Sequence, residues 1–292
     1  MKYERKTSIV HYARLTSNEI LSPSINILTV QAPELAANAK PGQFVQIKTS
    51  QYLRRPIGIM SADQQRGVIE LGIRRVGPGS NELCDLTTGT TLNIVGPLGH
   101  GFELTVAANN PDLVAGAQQS VPDHLITVAG GTGLFPLIYL LEEAGRQGIK
   151  TTSVAGFPSK GEAVLLARMK RIADKTFFAS ETGGLDFVGH AGAALTEIIG
   201  NLPAEKDKIL ICACGPLAML ENVATQCLER KIDCQVSLEA RMACGIGVCV
   251  GCSIPVYLDQ DQVDTTYERC CYEGPVFPAT KVVWPARGGV WG

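Results

Sequence analysis

Three cysteines fall within nine residues, Cys244, Cys249 and Cys252, in the stretch "ARMACGIGVCVGCSIPV" spanning residues 240–256. Thiols converging from one short loop force the intervening backbone into tight turns, which Gly245, Gly247 and Gly251 permit. A structural zinc site more often draws its ligands as two separate two-cysteine knuckles. The spacing C-x4-C-x2-C with a further cysteine downstream is instead that of plant-type [2Fe–2S] centres. The downstream thiol is one of an adjacent pair, Cys270 and Cys271. Zinc is the competing reading of this loop, and ordinary buried cysteines would need three coincidences in nine residues.

The chain holds ten cysteines, and its N-terminal "MKYERKTSIVHYARL" lacks the apolar core of a signal peptide. Thiols in that setting point to a reducing, cytoplasmic compartment, where they serve metals or catalysis rather than disulfides. The longest apolar stretch, residues 125–141, is interrupted by "GGTG" and Pro136. It reads as a buried strand, a turn and a helix start, not a membrane span. A formal charge of -2 with no Lys/Arg stripe gives nucleic acid or an acidic membrane no electrostatic footing.

With 292 residues the chain is long enough for two or three cores. Three regions are expected. Residues 1–104 carry short alternating runs ("INILTVQAP", "PGQFVQIKTS", "GVIELGIRRV", "TLNIVGPLG") punctuated by Gly and Pro, which predict an antiparallel β barrel or sandwich. Residues 105–123, small and polar with two prolines, read as a loop or linker. Residues 124–232 alternate strand and helix patterns, including a helix over "GEAVLLARMKRIA", and predict a parallel sheet covered on both faces. Residues 233–292 are too few to bury much core and would need the metal centre to hold them.

Two strand–turn–helix loops in the α/β region suit a nucleotide. "VAGGTGLFPLIYLL" offers Gly130, Gly131, Thr132 and Gly133 where backbone could approach a pyrophosphate at a helix N-terminus. It lacks the third glycine of G-x-G-x-x-G, with Pro136 there instead. "ILICACGPLAML" places Cys214, Gly215 and Pro216 at a second such turn, with Pro216 suited to a first helical turn. In the barrel region Arg54, Arg55, Arg74 and Arg75 are either a solvated face or anion ligands, with Gly77, Gly79 and Ser80 forming a turn beside Arg74. Cys84, Cys227 and Cys234 read as small hydrophobic fillers, and Cys212 alternates with Cys214 to point inward.

Taken in order, "RRPIGI", "GPGSNEL", "GPLGHGF", "GGTGLFPL", "CACGP", "EARMACGIGVCVGC" and "CCYEGPVFPATKVVW" resemble the ferredoxin–NADP reductase superfamily with an appended plant-type cluster. More narrowly, they resemble the electron-transfer subunits of type B dihydroorotate dehydrogenase. The resemblance implies a multi-domain chain: an FAD-binding β barrel, an NAD-binding α/β domain and a small C-terminal [2Fe–2S] domain. It maps Arg55, Pro56, Ile57, Gly58, Gly72, Ile73, Arg74, Gly79 and Ser80 onto FAD contacts. Gly130, Gly131, Thr132, Gly133, Cys214, Gly215 and Pro216 map onto NAD contacts, with Cys214 near the nicotinamide and no residue assigned as catalytic. It also selects Cys271 as the fourth ligand, three residues before the glycine of "GPVF", and leaves Cys270 to packing.

The chain departs from the family pattern at Gly58, where a serine or threonine hydroxyl normally lies near flavin N5, and at Pro158, where an arginine is common. With no arginine after "AGF" to grip a 2′-phosphate, NAD is expected over NADP. The implied activity is electron transfer from a partner subunit, in which FMN oxidises dihydroorotate, through [2Fe–2S] and FAD to NAD+, in a heterotetramer. An electron-bifurcating NADH-dependent ferredoxin:NADP oxidoreductase, a sulfhydrogenase-type complex or a self-sufficient NAD(P)H reductase would share these motifs.

Overall fold

The computed structural model describes residues 9–106, 120–202, 208–258 and 262–285. Most of the loop expected at 105–123 lies outside them. Its two ends meet, because Val106 and Ser120 form an antiparallel bridge.

Six antiparallel strands close a barrel: β1 (Ile9–Ser22), β2 (Ile25–Gln31), β3 (Phe44–Ile47), β4 (Arg55–Asp63), β5 (Val68–Arg74) and β6 (Thr91–Leu98), in the order β1-β2-β5-β4-β3-β6. The two-residue period sends alternate side chains to opposite faces. On β3, Val45 and Ile47 join the barrel core with Leu28, Ile69 and Leu71, while Phe44 joins the core beneath the C-terminal segment. Two short helices, α1 (Pro33–Asn38) and α2 (Pro78–Cys84), each start at a proline, which lacks the N–H that a first turn leaves unbonded.

The second body is a seven-stranded sheet. β7 (His124–Gly130), β8 (Lys150–Phe157), β9 (Lys175–Ser180), β10 (Phe187–Val188), β11 (Ile209–Cys214) and β12 (Asp233–Ser237) run parallel in the order β10-β9-β8-β7-β11-β12. Its helices are α3 (Leu134–Arg146), α4 (Leu166–Ile172), α5 (Ala191–Gly200) and α6 (Leu217–Glu229). α4 is shorter than its sequence pattern: residues 160–162 make a 3-10 turn and Leu165 adopts φ 60°, so the helix starts only at Leu166.

In the C-terminal segment, β13 (Ser253–Tyr257) and β14 (Thr265–Arg269) pair with each other, and β15 (Val276–Pro278) returns to add antiparallel to β12. A division at 232/233 would therefore separate β12 from β11, with which it pairs along its whole length. Among the described residues the segment has no separate core. Cys252, Ile254, Val256, Cys270, Cys271 and Phe277 share one buried cluster with the sheet and with α5 and α6.

α3 is buried nearly all round because it lies between sheet and barrel. Leu137, Ile138 and Leu141 share a buried cluster with Leu125 and Ala155 of the sheet and Ile27 and Met60 of the barrel, whereas Tyr139 joins the barrel core and donates its hydroxyl to the Ala39 carbonyl (2.8 Å). Across the same joint, Arg168 of α4 bridges Glu70 of β5 (2.6 Å) and Glu142 of α3 (2.8 Å). The Ser61 hydroxyl of β4 donates to that Glu142 carboxylate (2.8 Å).

Candidate functional site

A cavity of about 510 Å³ opens where barrel, sheet and C-terminal segment meet, within the size range of cofactor clefts. The barrel supplies Arg55, Pro56, Ile57, Gly58, Gly72, Ile73, Arg74, Gly79 and Ser80, so all nine residues mapped onto FAD line one cavity. Thr132, Gly133 and Cys214 line it from the sheet, while Gly130, Gly131, Gly215 and Pro216 are not among its lining residues.

The arginines divide by role. Arg54 is spent on the Asn93 side chain (2.6 Å) and backbone, and Arg75 on Asp85 (2.8 Å). Arg55 and Arg74 face the cavity. Arg55 packs over the start of α2, where a Cβ on Gly79 would come within 2.8 Å of its Cδ, and one of its terminal nitrogens donates to the Leu53 carbonyl (2.9 Å). Two guanidinium groups on a cavity wall fit a pyrophosphate. Ser80 differs: its Oγ already accepts the N–H of Val76 (2.9 Å) and Gly77 (3.1 Å), holding the turn that shapes this wall.

The glycines of the two strand-end loops serve each other first. A Cβ on Gly133 would lie 2.1 Å from the Cys214 carbonyl, and one on Gly130 would lie 2.6 Å from Pro216 Cδ. A Cβ on Gly215, at φ 155°, would lie 2.8 Å from the Gly130 backbone nitrogen. These contacts bring the loops together, whereas Gly131, at φ 53°, has open space around it. Sequence reasoning missed Phe135, Ser237, Glu239 and Met242, which also line the cavity. "SLEARM", directly ahead of the cysteine loop, was the available signal. Desolvation by the cavity walls raises the carboxyl pKa of Glu239, although the residue keeps an exposed surface. Burial likewise pushes the Cys214 thiol up to about 12, with Glu239 adding to the shift.

All ten cysteines are free. Cys84, Cys212, Cys214 and Cys227 are buried and Cys234 is half-buried. Around the cysteine loop, the Cys249 N–H donates to Cys244 Sγ and the Cys271 N–H to Cys252 Sγ, both at 3.4 Å. Burial alone would raise the Cys244 thiol, but the N–H groups of Cys249, Ile246 and Val248 outweigh it and bring it to about 7. Cys271 is pushed up to about 12, chiefly by burial and next by Cys252. Backbone N–H groups aimed at sulfur and buried thiols crowding one another fit a cationic inorganic core, which would compensate their ionisation. Among the described residues no three His, Cys, Asp or Glu side chains form a ready ligand shell for a single ion. Cys270 is fully buried, and its thiol donates to the Leu238 carbonyl (3.2 Å).

Barrel, nucleotide-type sheet and cysteine domain together define a flavin-dependent reductase with an iron–sulfur module. Residues 12–102 match the oxidoreductase FAD-binding domain, and residues 239–283 match the iron–sulfur cluster binding domain of dihydroorotate dehydrogenase B. The second match decides the loop against zinc. A dihydroorotate dehydrogenase B (NAD(+)) electron transfer subunit of Bacillus cereus is 32% identical over 267 residues, covering 90% of this chain and 94% of its own. That of Desulforamulus reducens is 29% identical over 281 residues, covering 95% and 99%. This chain belongs to the family of dihydroorotate dehydrogenase B electron transfer subunits.

Among solved structures, the NADH-dependent reduced ferredoxin-NADP oxidoreductase superposes with TM-score 0.78 at 22% identity, covering 94% of this chain and 90% of that one. The cytochrome b5 reductase domain of Ulva prolifera nitrate reductase gives 0.61 at 17%, covering 78% and 95%. These show the shared fold.

Proposed function

We propose that this chain carries electrons between a catalytic partner subunit that oxidises dihydroorotate on FMN and NAD+, as one half of a cytoplasmic heterotetramer. One observation carries the reading: the segment that closes the flavin cavity runs straight into the cysteine loop. Leu238, Glu239 and Ala240 line the cavity, and Cys244 follows four residues later. The Cys270 thiol ties Leu238 back to the strand end that bears Cys271. Bound FAD would supply the exchange between two-electron nicotinamide chemistry and the single electrons of an iron–sulfur centre.

The chain's own residues handle positioning. Arg55 and Arg74 would hold the pyrophosphate, β4 and β5 the flavin ring, and Thr132, Gly133 and Cys214 the nicotinamide edge. Cys244, Cys249, Cys252 and Cys271 would hold the cluster. Its outer edge is apolar and exposed, with Ile246, Val248 and Val250 flanking exposed Cys249, which suits a partner docking there. Pro158, Ser159 and Lys160 follow β8 with no arginine, which favours NADH over NADPH. No described helix is long and apolar enough to cross a membrane.

Titrating the purified two-subunit complex with dihydroorotate tests this. Bleaching of flavin and cluster absorbance, followed by NAD+ reduction, is expected. Flavins that stay oxidised with dihydroorotate but are reduced by NADPH or ferredoxin would move the chain to a bifurcating complex.

A further inference from the structure

Gln46 lies mid-strand on β3 and is fully buried, yet neither its amide nitrogen nor its amide oxygen has a hydrogen-bond partner. A buried amide left unpaired is costly, so it calls for a partner. Its side chain leaves the barrel on the face opposite Val45 and Ile47 and ends against the cysteine loop. At Gly245, the residue after Cys244, a Cβ would lie 2.2 Å from Gln46 Nε2 and 2.7 Å from its Cγ. Gly245 also holds φ 69°. Glycine is thus required there by the turn and by the amide pressed against it.

The backbone of Gln46 looks the other way. It pairs with Pro56 on β4, beside Arg55, in the strand that lines the flavin cavity. One residue therefore links the two prospective redox sites, its main chain paired with the strand that lines the cavity and its side chain against the cluster loop.

We propose that the Gln46 side-chain amide donates a hydrogen bond from the FAD barrel to a sulfur of the iron–sulfur centre held by the Cys244 loop, tuning its potential and fixing its position relative to the flavin. The inference rests on the iron–sulfur reading of that loop. Donors to cluster sulfurs stabilise the more negative, reduced state and raise the potential. The barrel, which contributes no cysteine ligand, would then help set the energy of the electron.

The test uses the full-length protein, purified without oxygen, as wild type and as Gln46→Met, which keeps length and apolar contact but removes the N–H. Iron, sulfide and FAD per chain are expected to be unchanged, with the cluster's midpoint potential lowered in an EPR-monitored redox titration. A wild-type potential in a fully loaded Gln46→Met overturns the proposal. Should that variant fail to load, pulsed EPR of reduced wild type labelled with 15N at the glutamine side-chain amide decides. A weak 15N coupling supports the hydrogen bond, and its absence overturns it, with water then the partner of Gln46. Wild type that carries no iron or sulfide would instead overturn the iron–sulfur reading itself.

Discussion

The ring of Phe135 on α3 sits so close to Gly72 on β5 that a Cβ at position 72 would lie 2.5 Å from it. Both residues line the cavity proposed to hold the flavin, so the joint between barrel and sheet is also one of its walls. Gly72→Ala is expected to drive the ring toward the cavity, cost about 1–3 kcal/mol through overpacking, and lower the flavin retained per chain. Flavin absorbance against protein content, with a urea melt, checks this. Adding Phe135→Leu should recover part of both losses.

Gly58 presents the opposite case, since a Cβ there meets nothing within 4 Å. Gly58→Ser should therefore keep the fold and FAD while placing a hydroxyl where the resemblance implies one beside the flavin. Stopped-flow reduction by NADH is expected to quicken. An unchanged rate with full FAD content would mean that another donor already fills that role.

The adjacent thiols should separate cleanly. Cys271→Ser is expected to abolish or destabilise the cluster, seen as lost visible absorbance and iron. Cys270→Ser keeps a donor for the Leu238 carbonyl and should leave the spectrum intact. The reverse pattern would move the fourth ligand back one place.

His124 starts β7 and shares a 2.8 Å hydrogen bond with the Thr152 hydroxyl. Burial, then the nearby Lys150 and Lys175, lowers its pKa. The unfolded chain then takes up this proton before the folded one does. Stability is full above the ordinary histidine range near pH ~6.5 and falls as pH drops below it, by at most roughly 1.4 kcal/mol per pH unit. Urea midpoints between pH 7.5 and 5 should fall less in His124→Gln than in the wild type.

Much of this was legible in the sequence. The β–α alternation foretold the parallel sheet, and the punctuated runs foretold the barrel. Other features were hidden. Arg54 and Arg55 are neighbours of one type, yet Asn93 claims the first and the cavity the second. The glycines at 130 and 133 suggested close approach to phosphate and Gly215 a second nucleotide turn, whereas their tightest contacts are with the opposite loop.

By itself the sequence determined what short spacing can encode: three cysteines and three glycines in one loop, and two turns at strand ends. Such patterns survive in one dimension because the groups that act together are covalent near-neighbours. Only the tertiary structure decided which remote residues share a wall. It brought Gln46 against Gly245 and Phe135 against Gly72, and placed Glu239 on the wall of the cavity shared by barrel and sheet. Those meetings depend on how barrel, sheet and C-terminal segment pack, and close packing between side chains far apart in sequence leaves no local period to read.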